Sequence, residues 1–278
     1  MGRTKIFEPE LEIENICTWI KNYFIDNGPR SKAVIGISGG KDSTVAAMLL
    51  VKALGTKRVL GVMMPQSTQT DIDDSRKVCE CLGINSVEID IGPACSALYR
   101  QIDEACDFDH QCEKLPIIGT NTPSRIRMAT LYAVAGMSSG RVANTCNWSE
   151  DFVGYSTKYG DLAGDFAILS RYAVREVITM GCVLAKEFNI PVELIAKTPS
   201  DGMCGKTDED NLGFTYDTLD SMLLDGIIPD YETYRNIMTR YKRNTHKTDC
   251  IRLPAPHALI YRRSRNWEYM VEERCFEF

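Results

Sequence analysis

The stretch Gly36-Ile37-Ser38-Gly39-Gly40-Lys41-Asp42-Ser43-Thr44 joins an apolar run to a segment of helical periodicity. That junction constrains the chain more than any other feature. Glycines let a backbone approach an anion closely, and a helix opening at the loop offers unpaired N–H groups and the positive end of its dipole. The surroundings repeat the pattern. Apolar, β-like runs at 33–37, 58–63 and 86–91 alternate with helix-like stretches at 43–54 and 71–82, which implies a parallel sheet with helices on both faces. An amphipathic helix at 8–26 precedes this unit, and a helix at 123–138, a strand at 141–145 and a helix at 170–188 continue it.

Spacing decides which phosphate loop this is. A Walker A loop needs four residues between its glycines and Ser or Thr after the Lys, whereas three residues separate Gly36 from Gly40 and Asp42 follows Lys41. The dinucleotide fingerprint G-x-G-x-x-G cannot be placed on these glycines either. What remains, S-G-G-x-D-S, resembles the pyrophosphate loop of the ATP pyrophosphatases, which cleave ATP between its α- and β-phosphates. The resemblance implies a Rossmann-like α/β fold, doubly wound around a mostly parallel five-stranded sheet. It places Gly36, Ile37, Ser38, Gly39, Gly40, Lys41, Asp42 and Ser43 around the ATP phosphates, with Asp42 on Mg²⁺. The loop leaves the acceptor open, since amidation, argininosuccinate-type ligation and tRNA thiolation share it.

Four later segments, in order, are similar to ammonia-dependent NAD synthetase. Asn121-Thr122-Pro123-Ser124-Arg125-Ile126-Arg127-Met128 matches an N-x-x-x-R-x-R-M helix start, implying that Arg125 contacts deamido-NAD. Asn144-Thr145-Cys146-Asn147-Trp148-Ser149-Glu150 matches T-G-N-x-S-E, with Glu150 as second Mg²⁺ carboxylate and Thr145 on ATP; Cys146 and Trp148 depart from the common form. Gly154-Tyr155-Ser156-Thr157-Lys158-Tyr159-Gly160-Asp161, followed by Asp165, implies that Lys158 and Asp165 bind deamido-NAD. The fourth is Pro199-Ser200 with Thr207 to Gly213 and Tyr216, similar to a loop that orders over the nucleotides, with Ser200 on phosphate; His246-Lys247 closes the pattern on deamido-NAD. Residues 198–213, rich in Gly, Asp, Ser and Thr, read as a mobile loop above a ligand site.

One position departs from the family. Where many members carry a phosphate-reaching Lys, this chain has Val174, with Arg171 and Arg175 nearby. Either an Arg substitutes, or Lys41 bears more of the load.

The implied reaction is amidation of deamido-NAD by ammonia through an NAD-adenylate, releasing AMP and pyrophosphate, with Asp42, Glu150 and Lys41 as catalytic residues. Asp165 and the Asp208 to Asp210 cluster are the candidates for receiving the ammonium proton. No segment resembles a glutaminase, so the expected nitrogen donor is ammonia, free or from a separate protein. The family implies a homodimer. The rivals are a tRNA-modifying ATP pyrophosphatase and a non-catalytic nucleotide-binding regulator, and retention of both Asp42 and Glu150 speaks against the second.

Composition fits this reading. At 278 residues and 44% hydrophobic, the chain can form one large domain over 1–278, with a helical extension from about 214. A net charge of -6 opposes an extended nucleic-acid footprint, although Arg240, Lys242, Arg243 and Lys247 open a basic stretch that suits anionic ligands. The eleven cysteines include no C-x-x-C pair, and the polar start MGRTKIFEPE lacks the apolar core of a signal peptide. Buried thiols in a cytoplasmic enzyme are therefore expected. No apolar run is long enough to span a bilayer.

Overall fold

The computed structural model describes residues 7–67, 72–105, 116–196 and 207–248, with side chains in the third stretch described from 119. The chain runs through α1 (Pro9–Asn27), β1 (Lys32–Gly36), α2 (Lys41–Leu54), β2 (Val59–Met63), α3 (Ile72–Leu82) and β3 (Asn85–Glu88). It continues with α4 (Gly92–Ala105), α5 (Pro116–Ser138), β4 (Gly140–Asn144), α6 (Trp148–Val153), β5 (Phe166–Ala167), α7 (Val174–Phe188) and α8 (Glu193–Ala196). Three further helices follow: α9 (Asp208–Leu212), α10 (Tyr216–Asp220), extended by a π-turn at Ser221–Asp225, and α11 (Tyr231–Thr248).

All five strands are parallel, in the order β3-β2-β1-β4-β5. β1 is central, with Ile35 facing Gly61 of β2 on one side and Ala143 of β4 on the other. The chain winds outward from β1 to β3, then crosses to start again at β4. The turns after β1 and β4 therefore part company at the carboxyl edge of the sheet, which is where open α/β sheets bind ligands.

Alternation along β1 divides the core. Ala33 and Ile35 join α1, α2, α3 and α7 on one face, while Val34 joins α4 and α5 on the other, all three being fully buried. Fully burying such an aliphatic side chain stabilises by about 1.5–3 kcal/mol, so truncation of Ile35 or Val34 would disturb the platform beneath the loop. A third cluster, with Val153, Val174, Leu212, Phe214, Leu219 and Ile237, docks α9 to α11 against α6 and α7.

Several boundaries differ from the sequence reading. α5 begins at Pro116 rather than 123 and carries Pro123 within it. α7 begins at Val174 rather than 170, because Ala173 is extended and Glu176 turns back to accept its N–H at 3.0 Å. The end of the expected loop at 198–213 is helix α9: Thr207 and Asp210 form a capping box, and Leu212 anchors it in the third cluster. Residues 197–206, with Ser200, lie outside the described residues. Sequence reasoning did not find α4, α6 or β5.

Among the described residues, Cys17, Cys79, Cys95 and Cys146 are buried and Cys81 and Cys182 half-buried, all of them free. No described helix is long and apolar enough to cross a membrane.

Candidate active site

The loop between β1 and α2 is set by its two serines. The Ser38 and Ser43 hydroxyls lie 3.0 Å apart, and Ser43 Oγ also receives the Ser38 N–H at 3.3 Å. Gly39 turns the chain at φ +78°, where a Cβ would meet Asp74 Cβ at 2.9 Å and the backbone nitrogen of Ser75 at 3.0 Å. A side chain is thus excluded by both conformation and space. Gly40 is the N-cap of α2, and no side chain caps the helix there, so the amino end of α2 is open toward an anion.

The turn after β4 supplies the opposite wall through a capping box. Asn147 Oδ1 accepts the Glu150 N–H at 3.0 Å, and Glu150 Oε2 accepts the Asn147 N–H at 3.2 Å. The same Asn147 donates its amide N–H to Asp42 Oδ1 at 3.0 Å. One side chain thereby spans the switch point and ties the two candidate carboxylates together. Lys41 completes the group, with Nζ 2.7 Å from Asp42 Oδ2 and 5.6 Å from the centroid of the Tyr216 ring.

These charges perturb one another. Burial pushes the Glu150 carboxyl well above its ordinary pKa and the nearby Asp42 charge adds to this, with Lys41 pulling the other way. For Lys41, burial pulls its pKa down, but Asp42, Glu150 and Asp208 outweigh it and the net direction is upward. The Tyr216 phenol is pushed well above its usual value by burial and then by Glu150, Asp208 and Asp42. Its hydroxyl has no hydrogen-bond partner among the described residues.

The donor set suits a hard divalent ion. Mg²⁺ is bound through one or two carboxylates with water and substrate phosphates completing its octahedron. Two acidic side chains beside an open phosphate loop fit that habit. Among the described residues, no group of three or more His, Cys, Asp and Glu is arranged to hold a metal on protein ligands alone.

The remaining sequence-derived candidates fall into separate places. Thr145 directly follows β4 at the carboxyl edge of the sheet and is half-buried. Arg125, Lys158, His246 and Lys247 come together where α5, the loop after α6 and α11 meet: Arg125 Nε donates to the Lys158 carbonyl at 3.3 Å, and Lys158 Nζ donates to the His246 carbonyl. Lys247 Nζ holds the carbonyls of Gly154 and Ser156 at 2.7 and 2.8 Å, and burial lowers its pKa. Asp165 stands apart from both groups. Its carboxylate accepts the Val142 N–H at 2.7 Å and faces the Tyr132 hydroxyl at 3.4 Å, at the edge where β5 joins β4.

The question left open at Val174 is narrowed by the same geometry. Val174 is buried in the third cluster, and the Arg175 guanidinium lies on Asp225 at 2.7 Å. Lys41 is the lysine found beside Asp42. Sequence reasoning missed the bridging role of Asn147, although N-x-x-E is itself a capping signature. It also missed Asp220, which receives the Ser149 hydroxyl at 2.5 Å and the Arg175 N–H at 2.7 Å and so fixes α7 to α6.

Fold and site together define a doubly wound α/β protein with a glycine-rich loop after β1 and two acidic side chains, Asp42 and Glu150, tied together at the switch point of its sheet. Within that class the chain belongs to the NAD synthase family, whose sequence model matches residues 12–251. It is 39% identical over 212 residues to the NH(3)-dependent NAD(+) synthetase of Thermococcus kodakarensis, covering 76% of this chain and 78% of that one. Among solved structures it resembles NMN synthetase from Francisella tularensis, with a TM-score of 0.80 at 31% identity, covering 90% of this chain and 100% of that chain. NH3-dependent NAD synthetase from Campylobacter jejuni superposes with a TM-score of 0.68 at 26% identity, with the same two coverages.

Proposed function

We infer that the protein is a ligase that condenses ammonia with the nicotinate carboxylate of deamido-NAD, using ATP and giving NAD, AMP and pyrophosphate. The observation that carries this reading is the Asn147 bridge, which joins the phosphate loop to the Glu150 turn and brings Asp42, Glu150 and Lys41 to one point of the sheet edge. Ser38, Gly40 and Ser43 cradle the β- and γ-phosphates, the rest of 36–43 lines them, and Thr145 touches the nucleotide. Mg²⁺ held by Asp42 and Glu150 would neutralise charge on the departing pyrophosphate.

The chain's own contribution is positioning and electrostatics. The substrate carboxylate is aligned with the α-phosphorus, displaces pyrophosphate and becomes an acyl-adenylate; ammonia then displaces AMP. Arg125, Lys158, His246 and Lys247 form the anion-holding side for deamido-NAD; on the family resemblance, Asp165 is a further contact there and Ser200 a contact to phosphate. The candidates for receiving the ammonium proton are Asp165 and the Asp208 to Asp210 cluster. The protein is taken as a homodimer, as the family resemblance implies, that needs neither nucleic acid nor membrane. Free, buried thiols favour the cytoplasm.

A second reading has one specific observation behind it, the higher TM-score with NMN synthetase. The acceptor would then be nicotinate mononucleotide, which presents the same carboxylate without the adenylyl half. The test supplies each acid with Mg-ATP and ammonium and compares kcat/KM. Preference for the dinucleotide supports the first reading, preference for the mononucleotide replaces it by the second, and turnover of neither overturns both.

A further inference from the structure

Both oxygens of Asp42 are engaged. Asn147 holds Oδ1 at 3.0 Å and the Lys41 ammonium holds Oδ2 at 2.7 Å. The Lys41 side chain is only 4% exposed against 18% for Asp42, so the ammonium is buried while the carboxylate keeps an open side, and the Tyr216 ring faces the ammonium from 5.6 Å. Glu150 is joined to the same group through Asn147. A positive charge therefore already sits against the carboxylate that a divalent ion would have to use.

We propose that Lys41 is a resident counter-cation, which holds the metal position at Asp42 closed until a metal–nucleotide complex arrives and exchanges with it. The proposal rests on the reading that Asp42 and Glu150 are the metal carboxylates. A free divalent ion must break this ion pair and strip a buried ammonium of its hydrogen-bonded carboxylate, which is unfavourable. A nucleotide-bound ion brings its own acceptors for the displaced ammonium, because the triphosphate lies in the loop that carries Lys41. The exchange is then balanced in charge. The Tyr216 face keeps the ammonium near the site while it is between partners.

Metal and nucleotide must consequently bind with positive coupling, each improving the affinity of the other. Lys41 stands at the unspecified position of S-G-G-x-D-S, so the coupling belongs to this chain's choice of residue and not to the loop itself. It also gives a physical sense to the buried Val174, since one lysine serves as placeholder and then as phosphate ligand.

The test measures Mn²⁺ binding by electron paramagnetic resonance on the full chain, with and without α,β-methylene-ATP. The proteins are wild type, Lys41→Met, Asp42→Asn and the double variant, with circular dichroism melts for each. Without nucleotide, Lys41→Met binds Mn²⁺ at least about tenfold more tightly than wild type, equivalent to about 1.4 kcal/mol, and the analogue tightens wild type more than the variant. Lys41→Gln replaces Lys41→Met if the latter does not fold. Equal or weaker binding by the Lys41 variant, at a site that Asp42→Asn still abolishes, overturns the placeholder and leaves the metal site standing. Mn²⁺ binding to Lys41→Met that persists unchanged in the double variant overturns the metal reading itself.

Discussion

The proposed phosphate side and the proposed deamido-NAD side of the site are held together over different distances along the chain. On the first, Ser38 meets Ser43 five residues on and Asn147 meets Glu150 three residues on, with a single bond across 105 residues, Asn147 to Asp42, joining the two turns. On the second, Lys158 reaches the His246 carbonyl across 88 residues, and Lys247 reaches Gly154 and Ser156 across 93 and 91. The local half is organised by secondary structure as it forms. The remote half exists only once α11 has docked, and Gly154 shows how close that docking is: a Cβ there would lie 2.1 Å from Asn244 Cβ. Elements attached in this way open more readily than the sheet beneath them.

The largest expected effect breaks the local half. Asp42→Asn or Glu150→Gln lowers kcat by about a thousandfold, in the range seen when an electrostatic group is removed from an active site. For Glu150→Gln the folded state does not suffer with it, whereas Asp42→Asn also removes the ion-pair partner of Lys41. Glu150→Gln raises the melting temperature, because a buried carboxyl held above its ordinary pKa is replaced by a neutral isostere. Steady-state rates beside calorimetric melts separate the two effects, and a parallel fall in both would make Glu150 a structural residue.

Asn147 sharpens the comparison because it serves both the local box and the long bond. Asn147→Ala costs about 1 kcal/mol of stability through the lost cap and weakens metal binding about 10–100-fold through the lost orientation of Asp42. Asn147→Ser keeps a capping oxygen but not the amide donor. It is expected to recover most of the stability and little of the metal affinity, as read from denaturation curves and metal titration.

Disturbing the remote half has a smaller and differently shaped effect. Lys247→Met raises KM for deamido-NAD about tenfold while leaving KM for ATP nearly unchanged, as for loss of uniform binding to one substrate. An equal rise in both would mean that the two halves are not separable.

The smallest effect concerns pH. Burial raises the Asp151 carboxyl to about 6 from 3.8, with the Ser170 hydrogen bond opposing and Asp161 adding. The folded protein therefore holds this proton where the unfolded chain releases it. Its contribution to stability falls as pH rises from 3.8 to about 6 and is flat above that. Asp151→Asn removes this fall, which unfolding curves across the window would reveal.

The same contrast explains what could be read in the sequence. The parallel sheet and the glycine-rich junction after β1 are legible because periodicity and spacing are local properties; Asp42 and Glu150 lie in the first turns of the helices that follow β1 and β4. β5 is two residues long and carries no periodicity. The expected helix start at 123 is late because a proline is a common first residue of a helix, yet here Pro123 sits inside one. Asp165 is harder still: its hold on the Val142 N–H depends on β5 lying beside β4, which no spacing announces. The meeting of Lys158 with α11 is equally remote from any sequence pattern.

The most direct test of the central claim is isotope exchange between labelled pyrophosphate and ATP in the absence of ammonium. Adenylation at a loop that holds pyrophosphate predicts exchange that requires deamido-NAD and a divalent ion and disappears in folded Asp42→Asn. Exchange that proceeds without deamido-NAD, or that survives Asp42→Asn, would contradict it.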